Sequence, residues 1–258
     1  MIITGEITMA SNWISYNKLA WTEDFLVDPA DYEAEVDKYI NLINSTAKMP
    51  VTRGLHLGCG AGGHDIYLKK YFKVTGVDIS IGMLEKAKTV NPDIEYIEGD
   101  MRSIRLNRRF DCVVIPDSID YMVSLDELKQ AVETSAFHLN PGGVLLIVGK
   151  TEETFQNNNF AYTGEKDDIH VTLLENNFKN PYSPNTYEIT MLYLIREKGK
   201  LTKYIEESLA GLFSQAKWDE VFQNAGFTLE KRNLDGVYDS YLLGEGKCPL
   251  TIFIGKKE

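Results

Sequence analysis

The chain has 258 residues, 43% apolar and 25% charged, and its 38 Asp and Glu outweigh 27 Lys and Arg to give a formal charge of −11. An acidic surface of this kind repels phosphate backbones and anionic membranes, so neither nucleic acid nor membrane is expected as a partner. The three cysteines (Cys59, Cys112, Cys248) form no Cys-x-x-Cys pair and the four histidines are scattered, which argues against a disulfide or metal scaffold and for a reducing, cytoplasmic setting.

The length suits one large domain or a domain with a sub-domain. Met1-Ile-Ile-Thr-Gly-Glu lacks a basic n-region and a long apolar h-region, so no signal peptide is expected, and no later run approaches membrane-spanning length. Residues 12–28 mix aromatics with polar groups: Trp13, Tyr16, Trp21 and Phe25. From Asp31 to Thr46, apolar positions at Tyr32, Val36, Tyr39, Ile40, Leu42 and Ile43 keep helical spacing.

Beyond Arg53 the pattern alternates. Gly54-Leu-His-Leu reads as a short buried strand and runs into Gly58-Cys-Gly-Ala-Gly-Gly. A helix with Ile66, Leu68 and Tyr71 follows, then a strand Lys73–Asp78 and a helix Met83–Thr89. Strands at Ile94–Glu98 and Phe110–Ile115, a helix Leu125–Leu139 and a strand Gly143–Gly149 continue the series. Such alternation implies an α/β fold with a doubly wound parallel sheet covered on both faces.

After Gly149 the alternation stops. Runs at Val171–Glu175, Tyr187–Ile195 and Leu201–Leu209, the last two separated by Lys198-Gly-Lys200, predict an antiparallel insertion of roughly three strands. A helix Ser214–Asn224 then starts on a candidate N-cap, Ser214, and stops at Gly226, and strands near Phe227–Lys231 and Leu250–Ile254 close the chain. The expected organisation is a core of 1–150 and 211–258 with a β insertion at 151–210.

Three successive strand ends carry Gly, Asp and Asp. The glycines let backbone turn sharply and approach a ligand, and the next helix offers free N–H groups. Asp78, 18 residues after Gly60, can accept both hydroxyls of a ribose. Asp100, in Gly99-Asp-Met, can accept from an adenine amino group while Met101 supplies backbone N–H and apolar contact. The bland readings are a tight turn at the glycines, an N-cap at Asp78 (which Ser80 could provide instead) and a turn residue at Asp100. Together the three line the crevice beyond the carboxyl ends of the sheet, where such folds bind ligands.

Here the chain resembles the class I S-adenosylmethionine-dependent methyltransferases. Leu55-His-Leu-Gly-Cys-Gly-Ala-Gly is similar to their Leu-Asp-Leu-Gly-Cys-Gly-Thr-Gly, and Gly76-Val-Asp-Ile-Ser, Glu98-Gly-Asp-Met-Arg, Phe110-Asp-Cys-Val-Val and His138-Leu-Asn-Pro-Gly-Gly-Val-Leu-Leu-Ile follow in the family's order. The resemblance implies a seven-stranded Rossmann-like sheet with its last strand antiparallel, and S-adenosyl-L-methionine as cofactor. It places methionine-moiety contacts at Gly58 and Gly60, ribose contact at Asp78 and adenine contact at Asp100 and Met101. Tyr16, Leu57, Ile79 and Pro116 complete the implied cofactor site. Tyr16-Asn-Lys-Leu-Ala and the β insertion further resemble small-molecule N-methyltransferases acting on nucleotide-carried amino sugars, which implies that the insertion at 151–210 covers the acceptor site.

Methyl transfer needs an in-line nucleophile, and an amine or hydroxyl acceptor must lose a proton. Pro116-Asp-Ser-Ile-Asp-Tyr121 follows the fourth strand, so Asp117, Asp120 and Tyr121 are catalytic candidates, with Tyr16 near them; the bland reading of Asp117 is a turn cap. Tyr16 and Trp21 are candidates to close over the cofactor. Tyr162, Phe178, Tyr182, Tyr187 and Tyr193 of the insertion are candidates to line the acceptor pocket. His170 could reach the acceptor or sit exposed at a strand end, His64 and His138 read as ordinary helix residues, Cys59 as a packing residue, and Lys256 and Lys257 as a solvated tail.

The expected function is S-adenosylmethionine-dependent methyl transfer to a small-molecule acceptor at nitrogen or oxygen, by a chain that can form a homodimer. Two alternatives stand beside it. An NAD-dependent oxidoreductase fits Gly58-x-Gly-x-x-Gly63 with Asp78, but gives Asp100 and Asn140-Pro-Gly-Gly-Val no role. A weak or inactive cofactor-binding homologue is suggested by His56, which stands where the family has an Asp and cannot supply a carboxylate.

Overall fold

The computed structural model describes residues 13–258; the reading of Met1–Glu6 lies outside them. Helices α1 (Glu23–Leu26) and α2 (Pro29–Thr46) precede β1 (Arg53–Leu57), α3 (Asp65–Leu68), β2 (Lys73–Asp78), α4 (Ile81–Val90), β3 (Glu95–Glu98) and β4 (Phe110–Ile115). A 3-10 turn at Ser118–Tyr121 leads to α5 (Leu125–His138) and β5 (Leu139–Gly149). Four strands follow, β6 (Asn158–Lys166), β7 (Ile169–Phe178), β8 (Thr186–Glu197) and β9 (Lys200–Gly211), then α6 (Gln215–Asn224), β10 (Phe227–Leu234) and β11 (Leu250–Lys257).

The main sheet has seven strands in the order β10-β11-β5-β4-β1-β2-β3. β5, β4, β1, β2 and β3 run parallel, and β11 runs antiparallel between β5 and β10. This is the doubly wound sheet expected from the alternation, with its last strand inserted antiparallel. The strand order reverses between β1 and β4, so a crevice opens above their carboxyl ends.

β4 is buried at every position because it packs on both faces. Cys112 and Val114 join the cluster under α2, with Val36, Tyr39 and Ile43. Val113 and Ile115 point the other way, to Leu128, Val132, Trp218 and Phe222 of α5 and α6. The two-residue period of a strand explains the division. Helix starts are set locally: Asp28 accepts from the Ala30 N–H ahead of α2, Ser80 accepts from the Met83 N–H ahead of α4, and Ser124 with Glu127 forms a capping box on α5.

Some sequence expectations need correction. The insertion has four strands, not three: β6 was not anticipated, because Asn158–Lys166 is mostly polar and buries only Phe160. Ser214 occupies the N-cap position of α6 without a side-chain cap bond. Glu153 accepts from the Gln215 N–H instead, at 2.9 and 3.0 Å. Lys257 is no solvated tail; its Nζ donates to the carbonyls of Ala136 (2.6 Å) and Leu139 (2.9 Å), filling orphan acceptors where α5 ends.

The small sheet, β6-β7-β8-β9, has its own apolar face. Val171, Leu173, Ile189, Met191 and Ile195 pack there with Leu19 and Leu26 from the N-terminal segment. That segment thereby bridges the insertion to the mouth of the crevice. Ser15 anchors it, its Oγ donating to the buried Glu206 on β9 at 2.7 Å.

Candidate active site

A cavity of about 390 Å³ lies in the crevice, and its wall includes every residue expected to bind the cofactor except Leu57, together with the catalytic candidates Asp117, Asp120 and Tyr121. Leu57 is fully buried in the core beside α5, as the alternation of β1 dictates. Only its carbonyl serves the region, accepting from Ser118 Oγ at 3.3 Å.

The side of the crevice expected to hold the cofactor is built from strand ends. After β1 the chain turns through Gly58 (φ +70°) and Gly60 (φ +53°). A Cβ on Gly58 would drive into Ser118 Oγ and come within 2.9 Å of Met101 Cε, whereas one on Gly60 would meet nothing within 4 Å. The loop is therefore packed against the protein at Gly58 and open to the crevice at Gly60. Its first N–H groups, on Gly58 and Cys59, donate to the Val77 carbonyl at 2.8 and 3.0 Å.

Asp78, at the tip of β2, accepts from the Gly60 N–H through Oδ2 and from the Ser80 N–H through Oδ1, both at 2.8 Å. Burial raises its carboxyl pKa, while those backbone donors oppose the rise. Asp78 lies in the cavity wall, and a carboxylate has acceptor capacity beyond these two bonds, which a ribose diol could use. The helix cap was a bland alternative for Asp78; Ser80 supplies it.

Asp100 also lies in the wall, but with a partner the sequence reading lacked. Arg102 grips it at 2.5–3.0 Å through Nε and a terminal nitrogen, and its other terminal nitrogen reaches Glu127 at 2.5 Å. Burial works to raise the Asp100 pKa, yet the Arg102 hydrogen bonds hold it below the usual value. Ile79, Met101 and Pro116 also line the cavity.

His56 does not leave the site without a carboxylate. Its Nδ1 is hydrogen-bonded to Asp65 Oδ1 at 2.7 Å, and both residues are buried. Asp65 Oδ2 accepts from the Tyr96 hydroxyl at 2.9 Å. Asn91 ties this group to the loop, donating to the Gly62 carbonyl (3.0 Å) and to Tyr96 Oη (3.1 Å). The acid beneath the glycine loop thus comes from α3 rather than β1.

The side expected to hold the acceptor is assembled from distant segments. Asp117, just past β4, takes φ +57°, a backbone conformation rare outside glycine and concentrated at functional sites. Tyr238 donates to its Oδ2, while its Oδ1 is buried with no partner. Burial, the largest cause, pushes the carboxyl pKa up to about 6. Tyr16 and Tyr121 touch through their hydroxyls, and Trp13 lies over Tyr121 with ring centroids 4.7 Å apart. Asp120 faces the same cavity but is already engaged, by Lys150 Nζ at 3.1 Å and the Tyr187 hydroxyl at 3.0 Å.

From the insertion, Tyr162, Tyr187 and Tyr193 reach the cavity wall. Phe178 and Tyr182 do not: Phe178 is 40% exposed on the outer face of β7 and Tyr182 is 93% exposed in the following turn. Trp21 is also turned away, 39% exposed and packed on Phe25. Trp13, not Trp21, lines the cavity. His170 lies at the far end of β7, off the cavity wall. His64 does line the cavity, with Nε2 3.1 Å from Glu35. His138 accepts from the Leu106 N–H inside the fold. Burial raises the Cys59 thiol pKa, so nothing activates it.

Lys150, Glu175, Asn177 and Tyr238 went unnoticed in the sequence. None sits in a motif, and each reaches the site only through tertiary packing.

Residues 55–143 match a family profile described as "Methyltransferase domain". The chain is 29% identical over 205 residues to the dTDP-3-amino-3,4,6-trideoxy-alpha-D-glucopyranose N,N-dimethyltransferase of Streptomyces venezuelae, covering 78% of this chain and 85% of that one. It is 30% identical to the dTDP-3-amino-3,6-dideoxy-alpha-D-glucopyranose N,N-dimethyltransferase of Streptomyces fradiae, with 68% and 70% covered. The crystal structure of Streptomyces venezuelae DesVI superposes with a TM-score of 0.75 at 28% identity, over 88% of this chain and 92% of that one. CalS10, an amino pentose methyltransferase from Micromonospora echinaspora, shares the fold at a TM-score of 0.71 and 20% identity, over 88% and 92%. The dinucleotide reading of Gly58–Gly63 falls with these matches. This chain belongs to the class I S-adenosylmethionine-dependent methyltransferases and is an enzyme of that family, with S-adenosylmethionine as its cofactor.

Proposed function

We propose that the acceptor is a small molecule methylated at an amine nitrogen. The observation that carries this reading is Asp117: a buried carboxylate facing the crevice, with one oxygen unpartnered and a pKa pushed up to about 6. An ammonium is the group that such an oxygen attracts, and a weakly basic carboxylate suits removal of its proton. The relatives named as N,N-dimethyltransferases of amino sugars support the same choice of atom.

In this reading Gly58 and Gly60 cradle the methionine moiety, Asp78 accepts the ribose hydroxyls, and Asp100, Met101, Ile79 and Pro116 form the adenine end. When bound, S-adenosylmethionine supplies a sulfonium methyl whose C–S bond breaks as the C–N bond forms. Asp117 receives the amine proton. Tyr16 and Tyr121, under Trp13, confine the nitrogen and exclude water, so that most of the rate gain comes from positioning. The insertion at 151–210 acts as the cover of the acceptor pocket, which Tyr162, Tyr187 and Tyr193 support by lining it.

Among the described residues no helix is long and apolar enough to cross a membrane. A cytoplasmic setting belongs to the proposal and is supported by three free, buried cysteines. A homodimer belongs to it as well, supported by Leu201, Ile205 and Leu209 exposed on the edge strand β9. The deciding experiment offers the enzyme S-adenosylmethionine with matched amines and alcohols and follows S-adenosylhomocysteine with mass analysis of the product. Methylation of amines supports the reading; methylation confined to alcohols removes it.

A further inference from the structure

The charge of the crevice says more about the acceptor. Among the described residues its wall carries six carboxylates, Asp78 and Asp100 on the cofactor side and Glu23, Asp117, Asp120 and Glu175 beyond them, against two permanent cations, Arg102 and Lys150. Neither cation is free. Arg102 is shared between Asp100 and Glu127, and Lys150 is bound to Asp120. A phosphate group inside a protein is normally met by unengaged arginines or lysines. Here a diphosphate would face surplus carboxylates in a low-dielectric cleft, where like charges repel far more than in water.

A second feature, away from Asp117, asks for hydrogen-bond donors. Glu175 and Asn177 stand two residues apart on β7, both in the cavity wall. Asn177 is 2% exposed, and its Nδ2 donates to Glu175 Oε1 at 2.7 Å. That bond fixes the amide's orientation and leaves Asn177 Oδ1 buried without a partner. A buried acceptor left unsatisfied is costly, so its place in a ligand-binding wall points to a donor that arrives with the ligand. Burial raises the Glu175 pKa, which the Asn177 amide and the Lys150 charge oppose.

Resting on the amine reading above, we propose that the acceptor is a phosphate-free amine bearing a second donor group, hydroxyl or ammonium. Asp117 takes the nitrogen to be methylated, and the Glu175–Asn177 pair takes the other donor. The acceptor is therefore a free aminopolyol or diamine rather than a nucleotide-linked sugar, and Glu175 and Asn177 select it.

The test uses the full chain at saturating S-adenosylmethionine with four acceptors: an aminopolyol, the same aminopolyol joined to a nucleoside diphosphate, a diamine, and a monoamine of equal length without hydroxyls. The expected result is a kcat/KM for the free aminopolyol or the diamine at least about tenfold above that of the conjugate and of the monoamine, one charge-assisted hydrogen bond being worth about that factor. The better of the two identifies the second donor. A conjugate used better than both free compounds overturns this proposal and leaves the amine reading intact. Oxygen methylation alone overturns both.

Two variants locate the effect. Glu175→Gln should raise KM for the preferred free acceptor about tenfold more than KM for the monoamine, with cofactor affinity by calorimetry as the folding control. Asn177→Ala, which removes the unpartnered oxygen, should do the same and serves if the first variant does not fold. Equal shifts for the two acceptors would take the pair out of the site.

Discussion

The two halves of the crevice are built differently. On the cofactor side the carboxylates are already held: Asp78 by the Gly60 and Ser80 N–H groups, Asp100 by Arg102, and Asp65 by His56 and Tyr96, and the unpartnered oxygen there belongs to a neutral amide, Asn91. On the acceptor side, buried oxygens of Asp117 and Asn177 have no partner. In the proposed reading the carboxylates of the first half are fixed before any ligand arrives and accept its hydroxyls, whereas the second half is left for a ligand to complete. That reading gives generic recognition to the strand ends and acceptor choice to the insertion and the turn after β4.

Substitutions can break this division. The largest effect is expected at Asp117. Asp117→Asn should lower kcat for an amine by about 10²-fold or more, the usual contribution of a positioned base, while cofactor affinity holds in calorimetry. Loss of cofactor binding instead would merge the two halves. Asp78→Ala should do the converse, weakening S-adenosylmethionine by about 1.5–3 kcal/mol because two hydroxyls lose a charged acceptor. An unchanged titration would remove Asp78 from the cofactor side.

His56→Ala should destabilise the fold by about 1–3 kcal/mol, read from urea midpoints, since the buried Asp65 loses a hydrogen-bond partner. A neutral result would mean that the pair does not support the glycine loop. The smallest effect is expected at Tyr182. At 93% exposure, Tyr182→Ala should change stability by less than about 0.5 kcal/mol and leave acceptor KM alone, whereas Tyr193→Ala should raise that KM. Equal behaviour of the two tyrosines would dissolve the distinction between the wall of the pocket and its outer surface.

The same division explains what the sequence disclosed. The main sheet was legible because its strands are short apolar runs between helical periods, and Lys73–Asp78 and Phe110–Ile115 carry the expected boundaries unchanged. The cofactor side was legible because one turn and two strand tips carry its groups within a short stretch of chain. Asp117 could be named from its place after β4, but not its setting, since Tyr238 lies 121 residues away. Glu175 and Asn177 looked like ordinary positions of a polar strand; only the pairing of β7 between β6 and β8 turns them inward. His56 misled in isolation, because its compensating carboxylate is nine residues on, in a different element.

The central claim is that the acceptor side works through a carboxylate that must be ionised, and it is tested most directly by the pH dependence of kcat/KM for an amine acceptor. Burial has raised the Asp117 pKa to about 6, so below that value the group is protonated and cannot take the amine proton, and above it the base is available. With cofactor saturating, kcat/KM should rise tenfold per pH unit at acid pH and break near 6 in the unmodified enzyme, and that break should vanish in Asp117→Asn while the alkaline side, set by the amine itself, remains. An acid limb that persists unchanged in Asp117→Asn would contradict the account.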